Sequence, residues 1–198
     1  MNVGLSTGNA RAALSARGDD LYETPAVATR ALLRAEKLPE IIWEPACGPG
    51  SIVGTLREAG HKVYATDLVN YGCPDSEHGV DFLMEHSAPT YIGAIVTNPP
   101  FKLAGEFVAH SLMLAPKVIM LLRLAFIESE RRRTILDNGH LARVHVFRNR
   151  LPMMHRAGRG TMVAKTNSSA MAFAWFVWDQ NHKGPTEMHR ISWEPEPA

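Results

Sequence analysis

Short apolar runs, each closed by a turn and followed by a stretch with helical spacing, recur along this chain and restrict its fold more than any single residue does. Ile41-Ile42-Trp43-Glu44-Pro45-Ala46, Val63-Tyr64-Ala65-Thr66-Asp67, the run ending at Asn98 and the run over 118–124 read as buried strands. Helices are expected over about 24–37, 51–59, 103–114 and 128–137, the first with Thr24 as N-cap and Pro25 at the first helical position. Val144-His145-Val146-Phe147 and residues 171–178 then give two strands with no helical pattern between them. Strands that alternate with helices form parallel pairs, because the crossover helix returns the chain to the same edge of the sheet. The expected fold is α/β: a mostly parallel, seven-stranded, doubly wound sheet with helices on both faces and an antiparallel hairpin near the carboxyl terminus.

Composition agrees with one globular domain. The chain has 198 residues, 45% hydrophobic and 21% charged, with a net charge of +1, which excludes a wholly basic nucleic-acid coat but not one basic face. Residues 1–18 read as a flexible arm, 19–180 as the domain, and 181–198 as a polar tail with an edge strand near 188–193. Cys47 and Cys73 give neither a disulfide framework nor metal-ligand spacing, so no metal is expected. No apolar run spans a bilayer and no signal peptide is visible, so a cytoplasmic location is expected.

Two constellations carry chemistry. Asn98-Pro99-Pro100-Phe101 follows directly on the apolar Gly93-Ala94-Ile95-Val96-Thr97. An exocyclic amino group is a weak nucleophile because its lone pair is delocalised into the ring, so a site that alkylates it needs two acceptors for its hydrogens and no strong base. The Asn98 side-chain carbonyl and the Pro99 main-chain carbonyl can be those acceptors, and Phe101 can stack on the ring. The prolines fix φ and remove competing donors.

The second constellation is Glu44-Pro45-Ala46-Cys47-Gly48-Pro49-Gly50, between the first of these strands and its helix. Gly48, Gly50 and Gly54 form Gly-x-Gly-x-x-x-Gly, not the dinucleotide frame Gly-x-Gly-x-x-Gly, and so disfavour a nicotinamide cofactor. Asp67, followed by Leu68, ends the next strand where a carboxylate can accept both ribose hydroxyls. Glu44 suits a methionine ammonium, directly or through water, and Asp81-Phe82 an adenine amino group and ring face. Together these donors and acceptors match S-adenosylmethionine.

In order and spacing, Asp20-Leu21-Tyr22-Glu23-Thr24-Pro25, Glu44 to Gly50, Asp67, Asp81-Phe82 and Asn98 to Phe101 resemble the class I S-adenosylmethionine-dependent methyltransferases, and among them the DNA adenine amino-methylating type. The resemblance covers roughly residues 19–125. It implies that Tyr22, Thr24 and Pro25 border the cofactor, that Ala46, Cys47, Gly48 and Gly50 line its loop, and that Asn98 to Phe101 act on an adenine extruded from DNA. No separate target-recognition domain is visible.

Residues 131–165 hold nine Lys or Arg against one acid, Asp137. Arg131, Arg132, Arg133, Arg148, Arg150, Arg156, Arg159 and Lys165 are the expected nucleic-acid contacts, with His155 and Met153-Met154 flanking an extruded base. A solvated helix face followed by an ordinary hairpin is the competing reading, supported by Glu128 and Glu130 beside the triple arginine. Asn167-Ser168-Ser169 either line the target pocket or form a polar lead-in to the next strand. Trp175, Phe176 and Trp178 alternate as core residues do. An RNA base or a protein glutamine would answer to the same planar grip, and a non-catalytic nucleic-acid-binding module on the same scaffold is the alternative of another class.

Overall fold

In the computed structural model, residues 22–152, 154–157, 161–164 and 171–194 are described, those of 154–157 and 161–164 as backbone. In chain order the strands are β1 (Tyr22–Glu23), β2 (Ile41–Glu44), β3 (Lys62–Asp67), β4 (Glu77–His78), β5 (Ala94–Thr97), β6 (Lys117–Arg123), β7 (Leu141–Phe147), β8 (Met154–Ala157), β9 (Thr161–Ala164), β10 (Phe173–Asp179) and β11 (Glu187–Ile191). The helices are α1 (Ala26–Ala35), α2 (Ser51–Glu58), α3 (Ala104–Leu114) and the single turn α4 (Arg133–Leu136).

The main sheet has eight strands in the order β11-β7-β10-β6-β5-β2-β3-β4. Only β10 runs antiparallel to its neighbours, pairing with β6 and β7, so the carboxyl ends of β2, β3, β5, β6 and β7 share one edge. This is the expected doubly wound sheet with its antiparallel hairpin, widened by the short β4 and by β11 at the opposite margin. A second sheet, β1-β8-β9, was not legible in the sequence.

Both faces of the main sheet are covered, which is why its strands are continuously apolar rather than alternating. β10 shows this best: Phe173, Trp175 and Val177 enter the core under α1 and α2, while Ala174, Phe176 and Trp178 enter the core under α3 and α4. Burying an indole N–H without an acceptor is costly, and both tryptophans have one. Trp175 Nε1 donates to the Ala28 carbonyl at 3.0 Å and Trp178 Nε1 to the Ile135 carbonyl at 2.7 Å. Trp43 Nε1 likewise donates to Thr66 Oγ1 at 3.0 Å, tying β2 to β3.

Two local expectations are corrected. Thr24 does not cap α1: the cap position is Pro25, without a side-chain hydrogen bond, because Tyr22–Glu23 is drawn into pairing with β8. The helix expected over 128–137 is reduced to a 3-10 turn at Glu130–Arg132 and the single turn of α4, after a separate 3-10 turn at Leu124–Ile127. Ser129 is extended there, and of the residues from Leu124 to Leu136 only Phe126 and Ile135 are buried, too little apolar surface to hold a continuous helix. Among the described residues no helix is long and apolar enough to cross a membrane.

Candidate active site

Parallel strands present their carboxyl ends as one row of loops, and in open α/β sheets ligands bind there. Here that row carries Glu44 at the end of β2, Asp67 at the end of β3, Asn98 just after β5 and Arg123 at the end of β6. The topology thus gathers onto one edge residues that are widely separated in sequence.

The loop after β5 is anchored from outside. Asn98 Nδ2 donates to the main-chain carbonyl of Tyr22 at 2.9 Å. That bond fixes the amide orientation and leaves Asn98 Oδ1 as a buried acceptor without a partner. The Pro100 carbonyl is used by the Leu103 N–H at 2.9 Å, whereas no backbone N–H among the described residues donates to the Pro99 carbonyl. Both acceptors expected from the sequence are therefore open. Phe101 is half-buried: the Tyr22 ring lies with its centroid 4.7 Å away, the Phe173 ring at 5.8 Å, and the Arg123 guanidinium carbon 4.3 Å from the Phe101 centroid.

The glycine loop after β2 is built around a backbone turn. Gly48 and Gly50 have φ of 53° and 93°, a region that costs little only for glycine. Gly48 N–H donates to Asp67 Oδ2 at 2.8 Å, and Val69 N–H to Asp67 Oδ1 at 2.9 Å. Each carboxylate oxygen keeps a further lone pair for a ligand hydroxyl. Burial raises the Asp67 carboxyl above its ordinary value, against the pull of these N–H donors. A side chain at Gly50 would lie 2.6 Å from Cys73 Sγ, so loop and neighbouring segment close on each other. Leu68 continues this rim, partly exposed.

Glu44 is fully buried, and burial pushes its carboxyl up to about 8. Its Oε1 accepts the Ala46 N–H at 3.4 Å. The hydroxyl of Thr97, which directly precedes Asn98, is buried beside the Glu44 carboxyl and draws its pKa down against the larger effect of burial. Buried polar atoms are normally satisfied, and at these two strand ends Asn98 Oδ1 is the acceptor for which no donor is found among the described residues. The donor set fits a zwitterionic nucleoside cofactor: a buried carboxylate for an ammonium and Asp67 for ribose.

Several expected residues hold other positions. Thr24 is buried and Pro25 begins α1, and the Thr24 carbonyl accepts the Ser51 hydroxyl, which joins this segment to the start of α2. Cys47 points away from the loop, packing with Val53, Ala65 and Cys73, so only its backbone can face a ligand. Phe82 is corrected: its ring is 2% exposed, with centroids 5.2 Å from Trp43 and 4.9 Å from Phe107, and it offers no face to adenine. Asp81 caps the short turn at Phe82–Met84 by accepting the Leu83 N–H at 3.2 Å.

The basic stretch is divided. Arg148 and Arg150 are exposed just past β7, on the same edge as Asn98. β8 pairs with β1, His155 opposite Tyr22, so the backbone of the hairpin at His155 and Arg156 runs beside the Asn98 anchor. The side chains of His155 and Arg156 are not among those described, and Met153, Arg159, Lys165 and Asn167 to Ser169 lie outside the described residues. Of the triple arginine, Arg133 is not brought to this edge. Arg133 lines a cleft with Leu141 and Thr186, at the amino-terminal ends of β7 and β11. Arg132 is corrected from nucleic-acid contact to brace: it donates to the Phe126 carbonyl at 2.9 Å, with its guanidinium carbon 4.3 Å from the Phe126 centroid. Arg131 is exposed in the same turn.

Sequence reasoning missed Arg123, whose signal was a charge closing an otherwise apolar strand. It also missed the Tyr22 carbonyl as anchor of Asn98, for which no sequence signal exists. Among the described residues no His, Cys, Asp or Glu cluster could hold a metal.

No family model matches the chain, and no curated protein matches it in sequence. Solved structures do resemble it in fold. The modification subunit of a candidate type I restriction enzyme from Vibrio vulnificus aligns over 93% of this chain at 15% identity and a TM-score of 0.58. This chain spans half the length of that subunit. A candidate RNA methyltransferase from Pyrococcus horikoshii aligns over 80% of this chain and 85% of its own, with 12% identity and a TM-score of 0.56. The 23S rRNA methyltransferase ErmE aligns over 79% of this chain and 68% of its own, with 16% identity and a TM-score of 0.53. The chain has the Rossmann-like fold of the class I methyltransferases.

Proposed function

We propose that this chain is an S-adenosylmethionine-dependent methyltransferase that acts on the exocyclic amino group of adenine in DNA, reached by extrusion of the base. The observation that carries the reading is Asn98 Oδ1: a buried acceptor with no donor, held by its own amide nitrogen, at the end of a strand and next to an aromatic ring. An amino group supplies the missing donor. The Pro99 carbonyl takes its second hydrogen, and the lone pair is then turned out of the ring plane by position alone, without a base.

S-adenosylmethionine supplies an electrophilic sulfonium methyl group. Glu44 would hold its ammonium, Asp67 its ribose and Asp81 its adenine amino group, with Ala46, Gly48 and Gly50 offering backbone contacts. Arg148, Arg150 and the β8–β9 hairpin form the surface for a phosphate backbone. The Vibrio vulnificus subunit supports a DNA substrate and the two RNA methyltransferases support a nucleic acid more generally.

The test is incorporation of label from S-adenosylmethionine into a mixture of DNA, RNA and protein, followed by chromatography of the hydrolysed nucleosides. The expected product is N6-methyladenine in DNA. Label confined to RNA or to protein glutamine would replace the substrate assignment, and cofactor binding without any transfer would favour a non-catalytic binding module.

A further inference from the structure

Two arginines of this molecule lie on aromatic rings at the same distance, and they differ in their hydrogen bonding. Arg132 sits 4.3 Å from the Phe126 centroid and donates through Nη1 to the Phe126 carbonyl, so its guanidinium has an acceptor. Arg123 sits 4.3 Å from the Phe101 centroid, but its Nε is buried without an acceptor. No carboxylate pairs with it among the described residues. A buried donor left unpaired is a standing cost, and a half-buried cation without a counter-charge adds to it.

The position is fixed by backbone. Arg123 is the last residue of β6 and lies opposite Phe173 of β10 in register, while Phe101 follows the neighbouring strand β5. A ring has two faces, and around Phe101 stand the Tyr22 ring at 4.7 Å, the Phe173 ring at 5.8 Å and this guanidinium at 4.3 Å. A base can stack on Phe101 only after one of them leaves. Tyr22 is held by strand pairing to β8 and by the Asn98 amide on its carbonyl, and Phe173 is buried in β10, whereas among the described residues no hydrogen bond or ion pair holds the Arg123 side chain.

We infer that Arg123 is a substrate-binding residue: it covers the stacking face of Phe101 until the base enters, and then pairs with the phosphate of the extruded nucleotide. This rests on the reading that Phe101 stacks the methylated base. A planar cation keeps water off the ring in the resting protein, and a ring face prefers a guanidinium in much the way it prefers a base. On displacement the guanidinium gains the bidentate acceptor it lacks, since phosphate oxygens match its fork of donors. The ligand class selected is therefore a nucleotide rather than an uncharged nucleoside.

The experiment is ligand-observed NMR titration of 2′-deoxyadenosine and of 2′-deoxyadenosine 5′-monophosphate, with S-adenosylhomocysteine present, against wild type, Arg123→Ala and Arg123→Lys. Wild type should prefer the monophosphate by about tenfold, equal to ~1.4 kcal/mol. Arg123→Ala should bind the uncharged nucleoside about threefold to tenfold more tightly, within the range of a cation–π contact no longer to be displaced, and should lose the phosphate preference. Arg123→Lys should tighten nucleoside binding while keeping that preference, and it carries the test alone if the alanine variant does not fold. Nucleoside affinity that is unchanged or weaker in the variants overturns the inference, as does a phosphate preference that survives in Arg123→Ala or is absent from wild type. Any of these in a protein that still methylates DNA leaves the proposed function standing; wild-type protein that methylates no DNA fails on the function itself.

Discussion

The two edges of the parallel sheet are built on opposite principles. At the amino-terminal edge, Glu36 closes α1 and gathers three partners: Lys117 Nζ at 2.8 Å, Arg143 through Nε at 2.8 Å and its Nη2 at 2.9 Å, and His145 Nε2 at 3.1 Å. Asp179 stands 3.8 Å from Lys117 and 3.9 Å from Arg143. Burial alone would raise the Glu36 carboxyl, but His145, Arg143 and Lys117 outweigh it and hold the group well below the carboxylate range. At the carboxyl-terminal edge, Glu44 is pushed the other way, and the side chains of Asn98 and Arg123 each keep a buried atom without a partner among the described residues. One edge pairs its carboxylates and cations internally, leaving His145 Nδ1 as its unpaired atom, and secures α1 to β6 and β7. The other leaves its polar groups open, as a site that exchanges ligands must.

The contrast predicts that stability and function separate by edge. The largest effect should be Glu36→Ala, which strips Lys117, Arg143 and His145 of their shared partner and should cost roughly 3–5 kcal/mol in chemical denaturation, typical of breaking a buried ion pair. Because the Glu36 carboxyl is held low, its contribution is present above the ordinary carboxylate pKa and is lost as pH falls toward the depressed value. Wild type should therefore lose stability in acid more steeply than the variant. Equal acid sensitivity in the two proteins would contradict the assignment.

Asp67→Ala, at the other edge, should weaken S-adenosylmethionine binding by about tenfold to a hundredfold in calorimetry, the range of hydrogen bonds to a charged group. The smaller effect at Glu44 lies in pH dependence. In the free protein burial keeps this carboxyl protonated below about 8. An ammonium bound beside it favours the ionised form, so binding expels a proton and affinity should rise with pH, levelling near that value. Glu44→Gln should bind cofactor more weakly and with a flatter pH profile; a wild-type profile in the variant would remove Glu44 from the site. Smallest should be the joint change of Arg148 and Arg150 to Gln. This should reduce the salt slope of DNA binding by roughly 0.9 for each phosphate that is no longer neutralised, whereas the same change at Arg132 should lower stability and leave the slope alone.

What the sequence revealed follows the same division. Strand and helix order was legible because both faces of the sheet are buried, which leaves unbroken apolar runs such as that in β6. The open edge was legible where function imposes unusual residues side by side, as in Asn98 to Phe101 and Glu44 to Gly50. Pairings that close over long sequence distances were not: Tyr22 meets Asn98 through a backbone carbonyl, which no side-chain pattern encodes. Phe82 was misread for a related reason, since being adjacent to a functional residue says nothing about which way a side chain turns. The arginines at 131–133 formed a single charge run in sequence, yet Arg132 is spent on Phe126 and Arg133 faces the cleft beside Leu141.

The central claim is that the open carbonyl of Asn98 awaits an amino group. Its most direct test is methyl transfer by Asn98→Ala, measured in single turnover on DNA alongside the variant's affinity for S-adenosylmethionine. Turnover should fall by about 10²-fold or more while cofactor affinity stays near wild type, as for loss of one positioned group in a preorganised site. Undiminished transfer, or a loss of cofactor binding as large as the loss of turnover, would contradict it.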